Sequence, residues 1–213
     1  MSTEISSTKP LKKQGTSPRS RRRAEILDAA AEVFSKSGFH QTRIADIIES
    51  AGIARGTFYL YFESKGAVFL ALLKELLERL RASVVGVDLG SDAPPIDQQL
   101  VQTVQRILNT VVRDRSLATI IVREAVSLDA EAREILNNFY GSLRHFIRES
   151  IRNGQSIGVI GNIDVEVSAS CVLGTVKQVM EEYVMGDFKS DIDVERAARA
   201  IVAFNMHGLE PVV

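Results

Sequence analysis

The placement of five prolines constrains this 213-residue chain more than any other feature. Pro10 and Pro18 stand near the beginning, Pro94 and Pro95 together in the middle, and Pro211 near the end. Between Arg19 and Ala93, and between Ile96 and Glu210, no residue both removes a backbone N–H and clashes with the preceding turn, so nothing forbids helix. The apolar periods in those stretches are helical. Ile26, Leu27, Ala30, Val33 and Phe34 form one stripe, closed by Ser37-Gly38, and Phe69, Leu70, Leu73, Leu76, Leu77, Leu80 and Val84 form a longer one. Gly86–Pro95 is the main loop. Beyond it the periods predict helices at 97–113, 115–126, 129–153, 164–185 and 191–207. Asp129, Asp164 and Asp191 serve as start signals, and Asn153-Gly154 as a stop. There is no strand alternation and no internal repeat, so the expected class is all-α with about nine helices.

Charge divides the chain in another way. Residues 1–23 carry Lys9, Lys12, Lys13, Arg19, Arg21, Arg22 and Arg23 against Glu4 alone, a local +6 inside a net charge of −1. A basic beginning beside an acidic remainder suits a chain that meets a polyanion at one end, although a basic tail that aids solubility has the same composition. Residues 1–19 lack periodicity and are rich in Ser, Thr, Lys, Gln and Pro, which predicts a disordered arm. The single cysteine, Cys171, excludes a disulfide scaffold. No apolar run approaches the roughly 18 residues that span a bilayer, and the basic N-terminus is followed by no apolar segment. The expectation is a soluble cytoplasmic protein without a membrane partner.

The chemistry concentrates between Thr42 and Lys65. Thr42 is placed to cap a helix whose Ile44, Ile47 and Ile48 face inward; Ala51-Gly52-Ile53 is a tight turn; Phe58 and Phe62, four apart, again face inward. Arg55, Gly56, Thr57, Tyr59 and Tyr61 are left toward solvent, the layout of a helix-turn-helix presenting its second helix to a DNA groove. Arg55 can donate twice to a guanine edge, Thr57 can meet a base or a phosphate, and Gly56 permits close backbone approach. Tyr59 and Tyr61 offer hydroxyls to phosphates, and Lys65 beside the Ser64 cap is a cationic grip. An ordinary helical hairpin with two surface tyrosines is the alternative.

Residues 20–70 closely resemble the DNA-binding domain of the TetR/AcrR family of bacterial transcriptional repressors. The resemblance runs from Arg23-Ala24-Glu25-Ile26-Leu27-Asp28-Ala29-Ala30 through Phe34, Gly38-Phe39, Thr42, Ile44, Ile47 and Ala51-Gly52-Ile53 to Gly56-Thr57-Phe58-Tyr59, Tyr61-Phe62 and Ser64-Lys65. It implies DNA contacts by Thr42, Arg43, Arg55, Gly56, Thr57, Tyr59, Tyr61 and Lys65. Three positions depart from the pattern: Ala54 replaces a capping Ser or Thr, Arg43 a small polar residue, and Tyr61 a common His. The implied organisation is a basic arm over 1–19, a DNA-binding domain over 20–66 with its helix-turn-helix at about 43–62, and a ligand-binding and dimerisation domain over 67–213.

For the C-terminal helices, the resemblance implies a homodimer through a four-helix bundle, with Val172, Val176, Val179, Tyr183, Ile201, Val202 and Phe204 as interface candidates. Some of these faces must instead be intrachain core. A dimer also follows from recognition itself, since one short helix reads too few bases; two copies belong about 34–36 Å apart on a pseudo-palindromic double-stranded operator. A pocket for a small apolar or amphipathic inducer is implied as well, with Arg123, Glu124, Phe139, Tyr140, Arg144, Cys171, Thr175 and Gln178 as lining candidates. Each of these, taken singly, fits a satisfied structural group or a surface residue better than a ligand contact. Catalysis is not expected: His40, His145 and His207 are scattered, and HExxH, Walker and Gly-x-Gly-x-x-Gly patterns are missing. No cofactor and no metal is expected. The reading is a DNA-binding repressor that an inducer releases.

Overall fold

A computed structural model describes residues 17–124, 130–186 and 193–207, the side chains of Ser116, Arg123, Glu124 and His207 excepted. Among the described residues there are nine α-helices and no strand. They are α1 (Pro18–Ser37), α2 (Ile44–Ala51), α3 (Arg55–Tyr59), α4 (Lys65–Ser83), α5 (Ile96–Arg113), α6 (Arg115–Glu124), α7 (Ala130–Ser156), α8 (Val165–Met185) and α9 (Val194–His207).

The helix ends follow from local chemistry, with several corrections. α1 starts at Pro18, where a missing N–H costs nothing, and the Ser17 hydroxyl accepts from Ser20 N–H at 3.1 Å. Pro18 and Arg19 are therefore helical, although the sequence reading placed them in the arm; residues 1–16 lie outside the described residues. Gly38, at φ +78°, ends α1 as expected. Asp164 caps α8 by accepting from the N–H groups of Glu166 and Val167 at 2.9 and 3.0 Å. The expected starts at Asp129 and Asp191 lie outside the described residues, and Asp193 accepts from Arg196 N–H at 2.9 Å at the head of α9. Asn153-Gly154 does not end α7, which continues to Ser156. Gly154 stands there because a Cβ would lie 2.6 Å from the Ile160 Cδ1 that folds back onto it, and the left-handed turn falls at Gly158 instead.

One apolar core runs through most of the molecule. Ile26, Leu27 and Phe34 of α1, Ile47 of α2 and Phe58 of α3 pack with the leucines of α4, and the same cluster continues into Leu117 and Ile121 of α6, Phe139 of α7 and Tyr183 of α8. The base of the helix-turn-helix and the C-terminal helices thus share a single packed interior. Close-packed interiors transmit displacement rather than absorb it. A smaller cluster joins Val104 and Leu108 of α5 to Ala198, Ile201 and Val202 of α9, with Val176 and Val179 of α8 packed against it. This corrects part of the expected dimer surface: Ile201, Val202 and Tyr183 are buried within one chain, and Val176 and Val179 lean on the same intrachain core. Periodicity showed an apolar face on α9 but not that α5 covers it. Phe204, by contrast, is 71% exposed.

Polar links run alongside the larger core. Arg23 of α1 pairs with Glu75 of α4 at 2.8 Å, Arg79 reaches Glu75 at 3.7 Å, and the other side of Arg79 meets Asp114 at 2.7 Å, between α5 and α6. α6 also packs directly on α1.

Candidate nucleic-acid interface

The segment Arg43–Lys65 assembles from local rules. Arg43 precedes α2 in an extended conformation, and the Asp46 carboxylate reaches back to accept its backbone N–H at 2.7 Å. That bond holds the Asp46 carboxyl below the usual carboxylate range. The Arg43 guanidinium touches the same carboxylate at 3.3 Å from a largely exposed position. α2 ends at Gly52, φ +61°, where Ile53 N–H donates to Ile48 C=O at 3.2 Å and Gly52 N–H to Glu49 C=O at 3.1 Å. The chain needs a left-handed residue to close this turn, and glycine enters that region without a Cβ penalty.

α3 is only five residues long. Its N-cap is Ala54, which brings no side-chain hydrogen bond. The helix is held from below instead. Phe58 is fully buried, with ring contacts to Phe62 at 6.2 Å and to Tyr59 at 5.4 Å. Anchoring Phe58 turns Arg55, Gly56 and Tyr59 outward, as expected, and the Arg55 guanidinium lies 5.9 Å from the Tyr59 ring. Thr57 and Tyr61 are half-buried. A Cβ on Gly56 would meet nothing within 4 Å, so this residue faces open space. Between α2 and α3 lies a shallow groove rimmed by Arg43 and Arg55, with Ala45, Glu49 and Tyr59 along it.

Two of the expected contact residues have other duties. Thr42 does not cap α2. It is 2% exposed, and its hydroxyl donates to Gly38 C=O at 2.8 Å, so the side chain locks the α1–α2 turn and has no surface to offer DNA. Lys65 turns inward. Its ammonium donates to the carbonyls of Phe39, His40 and Thr42 at 2.6, 3.3 and 2.8 Å and sits 4.5 Å from the centre of the Phe39 ring. Three protons meet three carbonyls, so Lys65 clamps the start of α4 to the α1–α2 turn and keeps no proton for a phosphate. Arg43, Arg55, Gly56 and Tyr59 remain on the open face.

Sequence reasoning missed a second groove beside the far end of α3, lined by Pro18, Arg19, Arg21, Arg22, Leu60 and Tyr61. A signal for it was present: the first turn of α1 contains no acidic residue and several arginines, the reverse of what a helix N-terminus favours.

The ligand candidates disperse. Phe139 and Tyr140 are in ring contact at 5.4 Å at the α7 side of the core, and burial pushes the Tyr140 hydroxyl up. Thr175 exchanges hydrogen bonds with Asn205 of α9 at 2.8 to 3.3 Å, and Gln178 donates to Glu182 at 3.1 Å from an exposed position. Arg144 and Cys171 are exposed. Arg123 and Glu124 lie outside the described side chains. Among the described residues no group of His, Cys, Asp and Glu could hold a metal ion, and no helix is long and apolar enough to cross a membrane.

Comparison with known proteins adds two family matches. Residues 26–72 match the model described as bacterial regulatory proteins, tetR family, and residues 93–186 the model described as tetracyclin repressor-like, C-terminal domain. A fatty acid metabolism regulator protein of Bacillus subtilis is 27% identical over 176 residues, covering 79% of this chain and 86% of that protein. The crystal structure of a putative TetR-family transcriptional regulator from Syntrophomonas wolfei superimposes with a TM-score of 0.67 at 25% identity, covering 88% of this chain and 94% of that one. The fatty acid degradation regulator FadR from Bacillus halodurans shares the fold with a TM-score of 0.69 at 24% identity, over 94% of this chain and 100% of that one.

Proposed function

Since the chain belongs to the tetR family of bacterial regulatory proteins, we propose that it acts as a homodimeric repressor. It is a DNA-binding transcriptional regulator with a ligand-binding C-terminal domain, not an enzyme. The observation that carries the reading is the outward set on α3, Arg55, Gly56 and Tyr59, held at the surface by the buried Phe58 beneath. Arg55 reads a base edge in the major groove. Arg43, Thr57, Tyr59 and Tyr61 contact the strands flanking it.

Each protomer contributes one such helix, and the pair reads a pseudo-palindrome. The interface is the outward side of α8 and α9. Val167, Gly174 and Ala200 lie exposed there with Phe204, a set of small and apolar residues that a second copy would cover. Val172, half-buried on α8, is kept as a further interface candidate.

An effector among α4–α8 releases the operator by favouring a conformation in which the two reading helices lose their spacing. The coupling route is the continuous core together with the links Arg23–Glu75–Arg79–Asp114, through which a displacement of α6 reaches α1 and α4. A ligand that prefers the released state a hundredfold supplies about 2.7 kcal/mol of coupling. The resemblance to a fatty acid metabolism regulator of B. subtilis makes fatty acids and their derivatives the first effectors to test.

The test is titration of the protein against the DNA upstream of its own gene at several salt concentrations, with Arg55→Ala and Tyr59→Phe beside the wild type. Arg55→Ala relaxes preference at one base pair per half-site by about 1–3 kcal/mol, while Tyr59→Phe weakens all sequences alike. Uniform loss from Arg55→Ala would move that residue to the phosphate contacts. Failure of the wild type to bind any duplex with a salt-dependent affinity would remove the reading.

A further inference from the structure

The groove lined by the first turns of α1 and the residues just after α3 is built from charges that the fold itself does not need. α1 opens with Arg19, Arg21, Arg22 and Arg23; Arg19 and Arg21 lie in the first turn, at the positive end of its dipole, where each is unfavourable by a few tenths of a kcal/mol. Arg23 turns inward, to Glu75 and the Phe62 ring. The other three stay at the surface. Glu25 is shared between Arg22, at 2.6 Å, and Arg21, at 3.8 Å, and Arg19 has no ion pair among the described residues. One carboxylate against three guanidiniums leaves the cluster at about +2.

The facing wall is Leu60, 75% exposed, and Tyr61. Both follow Tyr59 directly, so the groove adjoins the end of α3. A leucine that stays in water while arginines gather around it suits a ligand with an anionic edge and an apolar body, the alternation of phosphate and deoxyribose along a nucleic-acid strand.

We propose that Arg19, Arg21, Arg22 and the Tyr61 hydroxyl form a second backbone grip, which seats phosphates of the strand running past the C-terminal end of α3 with Leu60 against the intervening sugar. The grip lies outside the base pairs that α3 reads and carries no sequence information. It lengthens each half-site footprint and raises affinity for all sequences in a salt-dependent way. The inference rests on α3 entering the major groove.

The experiment uses the full chain and a duplex recovered from a random-sequence pool by the wild-type protein. Affinity is measured across salt concentrations for the wild type, Arg19→Gln and the triple Arg19→Gln/Arg21→Gln/Arg22→Gln variant, and phosphate contacts are mapped by ethylation interference. Arg19→Gln breaks no ion pair among the described residues, so it reports on the grip even where the triple variant weakens α1. Each lost phosphate contact lowers the slope of log K against log salt by about 0.9, which at 0.1 M salt is about an eightfold loss of affinity. The expected result is a slope reduced by about one for Arg19→Gln and by two or more for the triple variant, with base preference unchanged. In the triple variant, interference vanishes at phosphates flanking the bases that α3 reads. Wild-type slopes and interference in both variants overturn the grip. A wild type that recovers no duplex at all overturns the proposed function instead.

Discussion

Replacing Lys65 with methionine separates the clamp from a phosphate grip. The ammonium makes two short bonds, 2.6 Å to Phe39 C=O and 2.8 Å to Thr42 C=O, and a longer one of 3.3 Å to His40 C=O, with the Phe39 ring 4.5 Å away. Bonds from a charged donor are worth about 1.5 kcal/mol each at the low end, and the ring contact adds about 0.5–1 kcal/mol. The two short bonds and the ring contact together come to near 4 kcal/mol, reduced because the side chain is half-buried and water can reach the freed carbonyls, leaving about 2 kcal/mol of lost stability. For a chain of this size that lowers Tm by about 4–8 °C. Methionine keeps the stem and removes only the donors. Thermal unfolding of Lys65→Met, with DNA affinity measured in parallel, reads both quantities. A Tm equal to the wild type alongside a steep loss of DNA affinity would refute the clamp and return Lys65 to the phosphates. Lys65→Arg is expected to recover only part of the loss, because a planar guanidinium cannot aim three protons at three convergent carbonyls.

Three further outcomes are expected. Ala54→Ser supplies the missing cap of α3, stabilises it by about 0.5–2 kcal/mol and slows amide exchange at Gly56 and Thr57; unchanged exchange there would contradict the view that α3 is held only from below. Gly52→Ala meets no atom within 4 Å but must hold φ +61°, so equilibrium denaturation should register a purely conformational cost of about 1–2 kcal/mol, and no cost would mean the turn relaxes. Arg79→Met leaves Asp114, whose side chain is 16% exposed, without its only ion-pair partner among the described residues and lowers stability by about 1–2 kcal/mol, whereas adding Asp114→Asn restores part of it; a double variant no better than the single would refute the pairing.

The residues that proved readable are those whose role depends on near neighbours. The stripe of α1 and its stop at Gly38, the turn at Gly52, the inward Phe58 and Phe62 and the cap at Asp164 all follow from spacing within a turn or two of helix. The misreadings share another character: they turn on what comes to lie opposite. Thr42 has the right chemistry for a cap, but α2 begins two residues later, and Gly38 C=O claims the hydroxyl. Lys65 is a surface cation until the carbonyls of a turn more than twenty residues earlier fold over it. Gly154 has the composition of a helix stop, yet its missing side chain makes room for Ile160. Ile201 and Val202 form an apolar face whose partner, α5, lies almost a hundred positions away in the chain. For the candidate interface, the outward set on α3 was legible and the arginine groove was not, since it is closed by residues some forty positions apart.

Stoichiometry on DNA tests the central claim most directly. Native mass spectrometry of the protein with an inverted-repeat duplex recovered by selection counts the protomers on each duplex, and shifting one half-site against the other checks the spacing. The account predicts two protomers per duplex, bound together, with affinity collapsing when the half-sites move by half a helical turn. One protomer bound with undiminished affinity to a single half-site, indifferent to that shift, would contradict it.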